Sequence, residues 1–248
     1  DDGAPELRAD SAYNLDNAFI TSNYSTSSDV LVVMVSTAPG ECTAYKTMDA
    51  IDRFTWQMEN LQGVQSAVSL VTVSKLVTKG MNEGSLKWSA LSRNQTILNT
   101  STQRAPGSLI NPACSLAPVV IFLNDHKAET LQRTVDAAQA FADANNNDKY
   151  EFLLASGNAG IEAATNQVIE ASQDRMLYFV YAVVITLCLI TFRSLAATIC
   201  IVVPLAITSV LCQALMAYLG IGVKVATLPV IALGVGIGVD YGIYIYSR

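Results

Sequence analysis

The stretch GVGIGVDYG, Gly234 to Gly242, sets one carboxylate in an apolar, glycine-rich run. An ionisable group at mid-membrane depth costs roughly 2.5–3.5 kcal/mol to insert and is kept where it handles ions or protons inside a helix bundle. Asp240 is such a group, and the hydroxyl of Tyr241 beside it can donate a hydrogen bond. On a helix, Gly234, Gly238 and Gly242 recur every four residues and form a doubled small-xxx-small face for close helix packing. Gly236, Asp240 and Tyr244 fall on a second face, about 200° from the first, with Gly236 leaving space one turn above the carboxylate. The competing reading is a structural, hydrated Asp240 near the interface, since Arg248 follows eight residues later.

Other chemistry is poorly supported. The glycines give G-x-G-x-G, and Val239 stands where the dinucleotide fingerprint needs its third glycine. His126, the single histidine, follows Asp125 at the end of an expected strand and reads as a surface or capping residue; no G-x-S-x-G nucleophile motif accompanies it. One histidine and two cysteines outside the apolar spans are too few for a metal centre, so neither metal nor cofactor is expected. Asn23, Asn94 and Asn99 begin N-x-S/T sequons, which matter only in a eukaryotic secretory pathway. A net charge of −6 argues against nucleic acid as a partner.

The elements that would position Asp240 are membrane helices. Hydrophobic residues make up 51% of the 248-residue chain and the mean hydropathy is +0.35. From Met176 onward the only charges are Arg193, Lys224, Asp240 and Arg248, whereas residues 1–175 carry 12 basic and 20 acidic side chains. Residues 176–192, 195–219 and 225–247 are each long enough to cross a bilayer, which takes about 20 apolar residues. Three crossings put Arg193 and Arg248 on one side and Lys224 on the other, so the positive-inside rule makes residues 1–175 extracytoplasmic. With no initiator Met and an end directly after an apolar span, the sequence reads as a fragment.

Residues 1–175 read as a polar lead-in over 1–29 followed by two β-α-β units. Strands are expected at Val30–Ser36, Val64–Val73, Ala117–Asp125 and Lys149–Ser156, with helices at Thr43–Leu61 and Ala128–Ala144. Met48, Ile51, Phe54 and Met58 mark the buried face of the first helix. The order is the split βαβ, ferredoxin-like pattern, interrupted by an insertion over residues 74–116 that carries Trp88. In such a sheet the third strand runs antiparallel beside the first, which brings Cys42 and Cys114 together; a disulfide between them is the favoured reading and two free thiols the alternative. A last helix over Asn158–Arg175 runs directly into the first span. The expected fold is an α+β membrane protein: a ferredoxin-like extracytoplasmic domain followed by three transmembrane α-helices.

The segment GVGIGVDYGIYIYSR and the opening GAPELRADSAYNLDNAFI, in this order of domains, resemble the resistance–nodulation–division (RND) superfamily. The likeness is closest to its lipid- and hydrophobe-exporting branch, which includes the mycobacterial membrane-protein-large transporters. It implies a porter domain followed by the eighth to tenth helices of a transporter built from two similar halves, in the inner membrane as a multi-pass protein. It implies proton-driven export, with protons as the coupling ion and Asp240–Tyr241 as one half of an intramembrane relay. The implied partners are the bilayer, a lipid or hydrophobic cargo, the missing half of the transporter and further copies of itself. A sterol- or hopanoid-type transporter of the same superfamily is an alternative; so is a membrane-anchored sensor module in which Asp240 is structural. No enzymatic constellation is present.

Overall fold

Alternation along VLVVMVS sends Leu31, Val33 and Val35 to one face of β1 (Val30–Thr37), where all three are buried. This structure is a computed structural model describing residues 8, 10–218 and 228–246, and it divides into two units, Asp1–Ala163 and Ala164–Arg248.

In the first unit β1 pairs with β3 (Leu116–Leu123) on one side and β4 (Tyr150–Ser156) on the other, and β2 (Val64–Val68) lies outside β3. The order is β2-β3-β1-β4 with every neighbour antiparallel. Pro118 sits in a central strand, which its missing N–H would normally forbid. However, β2 ends opposite Val120, so one edge of β3 is open where Pro118 falls. The connections β1-to-β2 and β3-to-β4 contain α2 (Tyr45–Glu59) and α5 (Ala128–Asn145). Met48, Ile51, Phe54 and Met58 of α2 are fully buried. Phe54, Phe141 of α5 and Phe152 of β4 meet with ring centroids 5.0–5.1 Å apart and knit helices to sheet.

Three local expectations are corrected. The lead-in contains a helix, α1 (Ala12–Asn23), capped by Ser11 Oγ accepting from the Asn14 N–H at 3.3 Å. None of its residues is buried, although Ala12, Leu15 and Phe19 recur at helical spacings of three and four. Gln65 Nε2 ties the end of α1 to the sheet by donating to the carbonyls of Thr21 (2.7 Å) and Tyr24 (2.6 Å). The second strand stops at Val68 instead of Val73, because Ser69 caps α3 (Leu70–Met81) and forms a reciprocal capping box with Thr72. Leu70, Val71, Ser74 and Thr78 are the buried residues of α3, a helical rather than an alternating period. The expected insertion therefore begins inside a helix. It continues through a single 3₁₀ turn, Leu86–Trp88, and α4 (Gln95–Thr102), whose Ser101 hydroxyl lies 2.6 Å from that of Ser74 in a buried contact with α3.

The helix α6 (Asn158–Phe192) begins in the first unit and continues in the second. The second unit also holds α7 (Leu195–Tyr218) and α8 (Leu228–Tyr246). Two stretches, Arg175–Phe192 and Leu195–Met216, are long and apolar enough to cross a membrane. The helix α8 covers most of the third expected span; residues 219–227 and 247–248, with Lys224 and Arg248, lie outside the described residues.

Candidate functional site

Glycine spacing decides how α8 meets α7. A methyl group placed on Gly238 would stand 2.5 Å from Leu205 Cδ1, and one on Gly242 would stand 2.9 Å from Ile201 Cγ2. The two helices approach at these positions because a side chain is missing, which is how small residues drive association where lipid supplies no hydrophobic force. Ala197, Ile201 and Leu205 recur every four residues along α7 and are all buried, as is Val235 of α8. Gly234 departs from the expected face: it is exposed, and nothing lies within 4 Å of where its Cβ would be. Four residues on from Leu205, Ser209 turns its hydroxyl to Tyr181 of α6 at 2.8 Å. Pro204 lies inside α7 and cannot donate to the carbonyl one turn back, yet its own carbonyl accepts from Thr208 Oγ1 at 2.8 Å.

Asp240 and Tyr241 are on the side of α8 that α7 leaves open, and both are exposed in the described chain. Gly236, one turn before the carboxylate, has no atom within 4 Å of a would-be Cβ. One side of α8 is thus engaged through Gly238 and Gly242, while the other presents an acid, a phenol and open space over Gly236.

A second polar cluster went unread in the sequence. His126, expected as a surface or capping residue, is 20% exposed in its side chain and stands between two carboxylates. Its Nδ1 is 2.5 Å from Asp29 Oδ1, and its Nε2 contacts Glu162 Oε2. An ionised carboxylate only accepts, so an imidazole that donates to two of them at once is the charged form. The bond from Asp29 is the largest influence raising its pKa above the ordinary 6.5; burial opposes it, and the charges of Asp29 and Glu162 add to it. With both nitrogens occupied by acids, the charged ring has no lone pair with which to activate a nucleophile. Burial pushes the neighbouring Asp125 carboxyl up, but the Thr130 hydroxyl, the Lys127 N–H and the Lys127 charge outweigh it and hold that group low. The three acids and bases come from residues 29, 126 and 162, a separation that no local motif reveals.

Cys42 and Cys114 are joined in a disulfide across 72 residues of chain, at the end of the β1–β3 ladder. The backbone approaches there as well, with the Cys42 N–H donating to the Cys114 carbonyl at 3.2 Å. Closing a loop of that length stabilises the fold by roughly 4 kcal/mol in the chain-entropy picture. Between α2 and α3 lies a groove of about 350 Å³, lined by Asp52, Trp56, Lys75 and Leu76 among others, with Lys75 Nζ 2.5 Å from Asp52 Oδ1. Trp88 is not among its lining residues. Among the described residues no three His, Cys, Asp or Glu side chains gather as a metal site.

No curated protein matches the chain. The sequence model of the MMPL family matches residues 8–248, all but the first seven residues. A match of that extent, on a chain with two bilayer-length apolar helices beside an α+β unit, places it: the chain belongs to the MMPL family, membrane exporters of the RND superfamily.

Proposed function

We propose that this chain is part of a proton-driven exporter of lipids or other hydrophobic compounds, with Asp240 and Tyr241 forming one half of the intramembrane proton relay. The observation that carries the reading is the division of labour on α8. Gly238 and Gly242 serve the packing against α7, and Asp240, Tyr241 and the space over Gly236 stay open on the other side. A buried charge is expensive in a bilayer, so an acid on the unpacked side of a transmembrane helix calls for a partner helix. The missing half of the transporter would supply that partner, with its own acidic and phenolic pair.

In this reading residues 1–175 are an extracytoplasmic porter domain, residues 176–192, 195–219 and 225–247 are spans of a multi-pass inner-membrane protein, and the whole assembles with its other half and with further copies. The strand order β2-β3-β1-β4 supports a ferredoxin-like porter domain, since two β-α-β halves interleaved antiparallel give that order. A disulfide in the same unit suits an oxidising compartment outside the cytoplasm. Protonation of Asp240 removes its charge, Tyr241 donates a hydrogen bond to the relay, and the neutral and charged forms favour different packing of α8 against its partner helix. Protons are the coupling ion.

The test is Asp240→Asn in the complete transporter, with membrane abundance confirmed and export of a hydrophobic cargo measured under a proton gradient. Asparagine keeps size and hydrogen bonding but cannot cycle a proton. Export should stop; export at the normal rate would make Asp240 a structural residue.

A further inference from the structure

The first turns of α6 are fastened to β1 and the residues before it by side-chain hydrogen bonds and close packing. Asn158 Oδ1 accepts from the Val30 N–H at 2.9 Å, and its Nδ2 donates to the Ser28 carbonyl at 2.8 Å. Ala159 and Ala163 are buried, and the backbone at Gly160 runs so close to the sheet that a Cβ would lie 3.2 Å from Leu31 Cδ1. One turn along the same helix, Glu162 reaches His126, which in turn holds Asp29, the residue before β1. Three segments of distant sequence, the entry to β1, the exit of β3 and the start of α6, therefore meet at one imidazole.

We propose that Asp29, His126 and Glu162 form a proton-sensitive clamp, which fixes the first turns of α6 to the sheet while the imidazole is charged and loosens them when it is neutral. The physical basis is charge balance. A charged ring donates to both acids; a neutral ring has one N–H, so one carboxylate loses its donor and faces a lone pair. Asp29 is 14% and Glu162 39% exposed in their side chains, so the lost bond falls on the better-solvated Glu162, the α6 partner. Its chain neighbours do not compete for the ring: Asp125 and Lys127 face each other at 3.6 Å, and Asp125 also takes the Thr130 hydroxyl. The clamp lies wholly within the first unit and is independent of the role of Asp240. It would make the seating of α6 respond to the pH bathing residues 29, 126 and 162.

His126 is the only histidine in the 248 residues, so histidine-selective isotope labelling of the chain, purified without a histidine tag, gives one imidazole signal. Two readouts test the clamp. The ring should ionise above its ordinary 6.5, and Glu162→Gln should move that midpoint down. Amide hydrogen exchange in the first turns of α6, corrected for the chemical rate, should be about tenfold slower below the midpoint than above it, the scale of one charge-assisted hydrogen bond. That difference should vanish in His126→Asn. Should His126→Asn not fold, Glu162→Gln serves instead: its amide accepts from a charged ring and donates to a neutral one, so the pH difference in α6 exchange should shrink there, and an undiminished difference would overturn the proposal. A midpoint at or below 6.5 overturns the proposal, as does a raised midpoint with α6 exchange indifferent to pH, which would make the cluster a static brace.

Discussion

Replacing the glycines of α8 by alanine, one at a time, separates packing from propensity. Alanine in a helix interior gains roughly 0.5–1 kcal/mol over glycine. At Gly236 nothing opposes that gain, since no atom lies within 4 Å of the new Cβ. At Gly238 the obstacle is Leu205 Cδ1 at 2.5 Å, the tip of a flexible side chain whose Cγ is already 4.0 Å away. Turning it aside costs about 0.5–1.5 kcal/mol, which roughly cancels the gain. At Gly242 the obstacle is Ile201, with Cγ2 at 2.9 Å and both Cβ and Cγ1 at 3.5 Å. A β-branched side chain has one preferred rotamer in a helix, so the clash is relieved only by moving backbone, at about 1–3 kcal/mol. The shorter contact is thus the cheaper one. Thermal stability of the intact chain in one detergent should rank Gly236→Ala highest, Gly238→Ala near the parent and Gly242→Ala lowest. If Gly242→Ala proves as stable as Gly236→Ala, α8 does not pack on α7 through Gly242 and Ile201.

Four further outcomes follow from the first unit. Reducing the Cys42–Cys114 disulfide, or replacing both cysteines by serine, should lower stability by up to about 4 kcal/mol; a melting temperature indifferent to reductant would contradict this. Gly157 has φ +94°, and a Cβ there would run into the Val30 carbonyl, so Gly157→Ala should destabilise far more than Gly40→Ala, where φ is +84° but nothing lies within 4 Å. Ser69→Ala removes the hydroxyl that accepts from the Thr72 N–H, while the backbone N–H of residue 69 still donates to Thr72 Oγ1; it should cost about 1 kcal/mol, seen as faster amide exchange in the first turn of α3. The Asp29 bond raises the folded pKa of His126 above its unfolded 6.5, against burial and with help from Glu162. Its stabilisation is therefore complete below 6.5 and lost as pH rises through the folded value. Melting curves at fixed ionic strength should show that loss in the parent and not in His126→Asn.

What the sequence disclosed depended on periodicity. The alternation of β1 and the three-four spacing of Met48, Ile51, Phe54 and Met58 carry their burial in local pattern, and the uncharged runs carry their hydropathy; β1, α2 and two bilayer-length apolar helices formed within a few residues of their expected bounds. The helix α1 buries none of its residues, and its short spacing of Ala12, Leu15 and Phe19 is followed closely by the polar run SNYSTSSD, which reads as a loop. In VQSAVSLVTV the apolar residues fit either period, and the Ser69 cap, not hydrophobicity, ends the strand. The carboxylate at Asp240 was conspicuous because its surroundings are apolar. His126 was not: Asp29 is 97 residues before it and Glu162 36 after it, and both are unremarkable on a chain with 21 acidic residues. Only the sheet order brings the entry of β1, the exit of β3 and the start of α6 to one place.

The proposed relay requires Asp240 to take up and release a proton. It is tested without knowing the cargo by infrared difference spectroscopy on the complete transporter in membranes, recorded as the pH is lowered. The parent should gain a protonated-carboxyl band that is missing from the Asp240→Asn spectrum, while the two proteins remain equally abundant and folded. Superimposable difference spectra would show that Asp240 does not change protonation, and the relay would have to be abandoned.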